Sequence, residues 1–221
     1  MNHPISTPTH LRSISFLFIA AFLSWFLPVV FLMTTPLGKV GAAFTTTSWN
    51  EFIKVLQPYR ILWVIWQLLD ILSFAFAALG IYRLYEVLKE TRARTLASAS
   101  LLAMIGSVVF WLLRRYIDFA LTSDVASLPP LVSENEQLRG PLQFGAIALL
   151  SLSTACVGFE LFTSRLLKRT GLVIGLLSAT LFVLDAVINV SRSFQYAVGI
   201  PSLAPFLLLM ILGIGLLQRK N

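Results

Sequence analysis

Five ionisable side chains fall well inside apolar stretches of this chain, away from the stretch end where Glu160 sits: Asp70, Arg114, Arg115, Asp118 and Asp185. Asp70 is preceded by only nine residues of its apolar stretch and Asp185 by fourteen, too few for either to lie beyond a bilayer. A central Asp or Arg costs about 2.5–3.5 kcal/mol to insert. Five, all central and unpaired, would cost about 12–18 kcal/mol, against a whole-protein stability of about 5–15 kcal/mol. They must therefore pair, meet water or reach an interface.

Spacing says which of them can act together. Gln67 and Asp70 share a helix face at i,i+3, and Arg114/Asp118 and Asp185/Asn189 do so at i,i+4. At 1.5 Å rise per residue, Asp70, Arg114 and Asp185 lie about 13, 10 and 8 Å below the outer edges of their stretches. The expectation is one polar cluster between the second, third and fifth stretches, open to the outside. It would consist of Asp70, Arg114, Asp185, Gln67, Asp118 and Asn189. Such a cluster suits a small polar or anionic ligand gripped by Arg114, or a proton at Asp70 or Asp185. An internal ion-pair network that fixes helix register is the structural alternative. Arg115 points about 100° away from Arg114. It is expected to align with the small-residue row Ala99, Ala103 and Ser107 and to anchor its helix elsewhere. Because seventeen residues separate Ala97 from Leu113 inclusive, snorkelling of both arginines to the outer headgroups is a further reading.

Other chemistries lack their residues. Both histidines, His3 and His10, precede the first apolar stretch, so a His-ligated haem, a zinc site or a Ser-His triad has no ligands in the body of the chain. No G-x-S-x-G, P-loop or G-x-G-x-x-G occurs. Cys156, the single cysteine, reads as a small core residue. No cofactor or metal is indicated, and an intramembrane enzyme is the weakest of the functional classes.

The elements that must position these charges follow from composition. The chain has 221 residues, 57% hydrophobic and 12% charged, against about 25% charged in soluble domains. Its net charge is +7. Such a chain is neither an ordinary soluble enzyme nor a nucleic-acid binder, and its first partner is a lipid bilayer. Six stretches have the length of a spanning helix, about 20 residues: Ile14–Met33, Ile61–Tyr82, Ala97–Leu121, Leu142–Thr163, Gly171–Val190 and one ending at Leu217. The reading is an all-α, polytopic membrane bundle of six transmembrane helices. Residues 1–13 form a tail and 14–221 a single domain. The first stretch is too long for the h-region of a cleaved signal peptide.

Counting Lys and Arg orients it. One side carries ten (in the N-tail, the second–third and fourth–fifth connections and the C-tail), the other five, with Arg114 and Arg115 inside a span. Basic residues stay inside, so both termini are expected in the cytoplasm. Ser48-Trp49-Asn50-Glu51 is a capping box. With Trp49, Phe52, Ile53 and Leu56 it predicts an outer amphipathic segment near 48–57. Ser133-Glu134-Asn135-Glu136 predicts another helix start. The stretch Tyr82 to Arg94 continues the second helix, with Arg83/Glu86 and Glu90/Arg94 placed to pair. Glu160 is expected to meet Arg165 or Lys168 at the surface. Gly171, Gly175 and Ala179, and likewise Ser151 and Ala155, predict close helix packing.

Several short segments carry a resemblance. They are Asp70-Ile71-Leu72, Ala78-Leu79-Gly80-Ile81-Tyr82-Arg83-Leu84, an arginine late in the third stretch, Lys168-Arg169-Thr170-Gly171 and Pro201-Ser202-Leu203-Ala204-Pro205. Together they resemble a family of uncharacterised bacterial six-span membrane proteins, known only as a domain of unknown function. The doubled Arg114-Arg115 departs from that pattern. The resemblance implies the bacterial inner membrane and carries no activity and no catalytic residues.

Overall fold

The structure is a computed structural model that describes residues 8–34, 54–91, 93–122, 131–190 and 199–218. Regular structure among these residues is helical: α1 (Pro8–Thr34), α2 (Arg60–Leu88), α3 (Arg94–Thr122), α4 (Leu131–Thr163), α5 (Lys168–Val190) and α6 (Gly199–Gln218). Four segments are long and apolar enough to cross a membrane: His10–Val30, Lys54–Leu88, Arg94–Phe119 and Gly140–Thr163. Ala204–Gln218 is a shorter apolar helix.

Helix boundaries run past the apolar stretches. α1 begins at Pro8, inside the segment expected as a tail. α4 begins at Leu131, so Ser133 lies within the helix and does not cap it. Of the amphipathic segment near 48–57, residues 48–53 lie outside the described residues. Beyond them Leu56 is buried and Lys54 exposed, and a 3₁₀ turn, Gln57–Tyr59, leads into α2.

Each helix packs on the next, and α6 returns to α1, closing a ring that α4 and α6 bridge. α3 shows what drives this. Its inner face carries Ser100, Met104, Ser107, Trp111 and Asp118. Its outer face carries Leu102, 70% exposed, with Ile105, Val109, Leu112 and Tyr116. Polar-in and apolar-out inverts the soluble pattern. It suits a helix with lipid outside, where polar side chains must find partners within the bundle. Ser107 Oγ donates to the Ala146 carbonyl at 2.6 Å, and Ser153 Oγ to the Ser100 carbonyl at 2.8 Å. These two bonds fix the antiparallel register of α3 and α4.

The α4–α5 contact is the closest. A Cβ on Gly158 would sit 2.5 Å from the Gly175 nitrogen and 2.8 Å from the Gly171 oxygen. Only glycine permits that approach. Ala99, by contrast, faces outward and packs no helix of the described bundle.

At the α2–α3 turn, Thr91 Oγ1 donates to the Leu88 carbonyl at 2.7 Å and accepts from the Ala93 N–H at 3.2 Å. Glu86 pairs with Lys89 at 2.9 Å rather than with Arg83. Glu on the N-terminal side of Lys is the favoured orientation.

Candidate functional site

Near the start of α2 and the end of α3, four charged side chains are buried together: Asp70, Arg114, Arg115 and Asp118. Arg115, 2% exposed, is the centre. Its Nη2 donates to Asp70 Oδ2, and its Nη1 donates to Asp118 Oδ2 at 3.0 Å. Trp111 Nε1 donates to the same Asp70 oxygen at 2.8 Å. The guanidinium lies between two indoles, 4.8 Å from the Trp66 ring and 4.6 Å from the Trp111 ring. A desolvated cation–π contact is worth about 2 kcal/mol.

Arg114 also turns inward. Its Nη2 is 3.8 Å from Asp118 Oδ2, and its guanidinium stands 4.9 Å from the Trp111 ring. The expected sharing of a face by Arg114 and Asp118 is therefore seen. The arginine that joins α3 to α2, however, is Arg115 and not Arg114.

The reason is angular. Each step of four residues overshoots a turn by about 40°. Four steps from Ala99 to Arg115 accumulate about 160°, which carries Arg115 to the opposite side of the helix from Ala99. Arg115 instead lies one turn beyond Trp111, on the side that meets α2.

Aromatic rings connect the cluster to the core. Phe74 stacks on Trp111 at 4.6 Å and meets Phe206 edge-on at 5.2 Å, and Phe206 stacks on Trp25 at 6.1 Å. α2, α3, α6 and α1 thus meet below the charges. The Phe74–Trp111 and Asp70–Arg115 contacts set the α2–α3 register, which puts Gln67 level with Asp118. Gln67 is fully buried, and neither its Oε1 nor its Nε2 has a hydrogen-bond partner among the described residues.

Asp185 is elsewhere. Its Oδ2 accepts from Ser151 Oγ of α4 at 3.1 Å, and it takes part in no ion pair among the described residues. The α3–α4 register places Ser151 opposite Leu102, thirteen residues along α3 from Arg115. That is about 20 Å along the axis. The expected three-helix cluster is thus two separate places, α2–α3 and α4–α5. Similar distances from the ends of apolar runs do not give Asp70, Arg114 and Asp185 a common depth, because such ends do not lie in one plane. The side chain of Asn189 lies outside the described residues.

Glu160 corrects another expectation. It is fully buried, and neither carboxylate oxygen has a hydrogen-bond partner among the described residues. It sits two turns beyond Ser153 on the face that meets α3 and makes no ion pair with Arg165 or Lys168. Two tryptophans of the site, Trp66 and Trp111, were missed from sequence. The available signal was their spacing: Trp66 is one helical turn from Asp70, and Trp111 one turn from both arginines.

Fold and site define a class: an all-helical bundle of membrane-spanning character with a buried ion-pair cluster between two helices. Among the described residues no group of three or more His, Cys, Asp or Glu is placed to hold a metal. Comparison with family models, curated proteins and solved structures finds no match for the chain.

Proposed function

We propose that the protein spans the bacterial inner membrane six times, with both termini cytoplasmic. In this reading it binds a small polar molecule at the α2–α3 cluster, for transport or sensing. Gln67 is the observation that carries the ligand. A buried amide with neither atom bonded costs about 1–3 kcal/mol per unsatisfied group. A polar guest beside Asp118 and Arg115 would satisfy both its donor and its acceptor. The guest is polar rather than strongly anionic, because two aspartates already balance the two arginines.

The same charge balance favours a second reading, in which the cluster only locks α2 to α3 as part of an accessory membrane subunit. Gln67→Leu separates the two. The measurement is thermal stability of the purified full chain against a panel of small polar and anionic solutes. Under the ligand reading, one or more solutes stabilise the wild type and lose that effect in Gln67→Leu. Under the accessory reading, Gln67→Leu is as stable as wild type or more so, and no solute distinguishes them.

A further inference from the structure

At the opposite end of the bundle, where α1 begins and α2 ends, a cavity of about 240 Å³ opens between the two helices. It is lined by His10, Ser13 and Ile14 of α1 and by Arg83 of α2. His10 and Ser13 share a face at i,i+3. Imidazole, hydroxyl and guanidinium all offer donors there, and Ile14, fully buried, forms an apolar wall. No carboxylate is among these lining residues.

Arg83 is available. Its side chain enters no ion pair or hydrogen bond among the described residues. The carboxylate nearest it along α2, Glu86, is held by Lys89, whose ammonium is raised above its ordinary pKa by that bond. An uncompensated guanidinium beside two donors is the arrangement that recognises a phosphate oxygen.

Position narrows the source of the phosphate. Arg83 directly follows Tyr82, an exposed aromatic ring in the last two turns of α2. An exposed tyrosine next to a basic residue towards a helix end marks the level of lipid headgroups. The cavity is smaller than the roughly 300–1,000 Å³ of small-molecule pockets, a size for one headgroup rather than a whole metabolite. It also lies at the end of the bundle whose tails and connections carry the excess of Lys and Arg. Basic pockets between spanning helices on that side bind anionic headgroups.

We propose that this cavity holds the phosphate of an anionic phospholipid, gripped by Arg83, His10 and Ser13 between α1 and α2. The proposal uses no part of the α2–α3 charged cluster.

The test uses the purified full chain in detergent, titrated separately with phosphatidylglycerol, phosphatidylcholine and inorganic phosphate. Bound lipid is counted by native mass spectrometry and stability by melting temperature. Phosphatidylglycerol is expected to bind and raise the melting temperature, and phosphatidylcholine to do neither. Arg83→Gln should weaken phosphatidylglycerol about fivefold, the effect of one basic residue near a charged membrane surface. His10→Gln should weaken it in the same direction. Arg94→Gln, an exposed charge at the same end, should leave it unchanged. Equal phosphatidylglycerol binding by wild type and Arg83→Gln overturns the site. Stabilisation by inorganic phosphate alone, with no preference for the lipid, overturns the lipid and leaves a soluble anion.

Discussion

Arg115 holds two helices together through one guanidinium, and the energetic consequence is asymmetric. It bonds Asp70 across the α2–α3 interface and Asp118 on its own helix while stacked between two indoles. Removing it strands a buried carboxylate, which costs about 3–5 kcal/mol. Arg115→Gln is therefore expected to lower unfolding stability by that amount. Arg114→Gln should cost less, because Asp118 keeps Arg115. Adding Asp70→Asn to Arg115→Gln should recover much of the loss, since an absent pair leaves no lone charge. Denaturant or thermal unfolding of the wild type and the three variants in detergent measures this, and equal losses for the two arginine variants would contradict the assignment of Arg115 as the bridge.

Single-helix spacing made part of this visible. It put Arg114 with Asp118 and Gln67 with Asp70 because i,i+3 and i,i+4 neighbours share a face whatever surrounds them. It could not say which arginine meets Asp70, because the answer depends on where α2 sits around α3.

At the scale of elements, the α4–α5 pair is built on backbone contact. Gly158 faces Gly171 and Gly175 so closely that no side chain fits. Gly158→Val is expected to destabilise by about 1–3 kcal/mol, the usual cost of overpacking a tight contact, and the loss should show in the same unfolding assay. The glycines of α5 were legible as a packing face from their spacing of four. Their partner Gly158 was not, because a lone glycine in an apolar run gives no period. The turn between the two helices adds a second feature. Arg165 has φ of 59°, the left-handed conformation that costs a non-glycine residue about 1–2 kcal/mol. Leu167 N–H then donates to the Leu161 carbonyl at 3.0 Å, closing the helix end. Arg165→Gly should raise stability by about 1 kcal/mol. An unchanged or lower melting temperature would show that the arginine side chain offsets its backbone strain.

For the whole molecule, the outward stripe of α3 and the four long apolar segments argue for lipid contact around the ring. The six-span, termini-inside arrangement proposed above predicts reporter activities. A cytoplasmic reporter fused at residue 221 or inserted near residue 91 should be active. A periplasmic reporter placed between residues 123 and 130 should be active in turn. The reverse pattern would invert the topology and move the Arg83 cavity to the outer leaflet. Val109→Lys, on the exposed face at the middle of α3, should impair insertion by about 2.5–3.5 kcal/mol.

Composition and run length were enough to indicate long apolar helices of membrane-spanning character, as the described residues show, because backbone polar groups in lipid leave a chain few other choices. They also determined that charges would be buried within it. Which charges meet was decided only by tertiary structure. Asp70 and Arg115 are joined across the α2–α3 interface, while Asp185 is drawn to Ser151 some 20 Å away along the bundle axis. Helical periodicity sets angles along one helix. The sliding and rotation of one helix against another are set by contacts such as Ser107 to Ala146, Phe74 to Trp111 and Gly158 to Gly175, which no local spacing encodes.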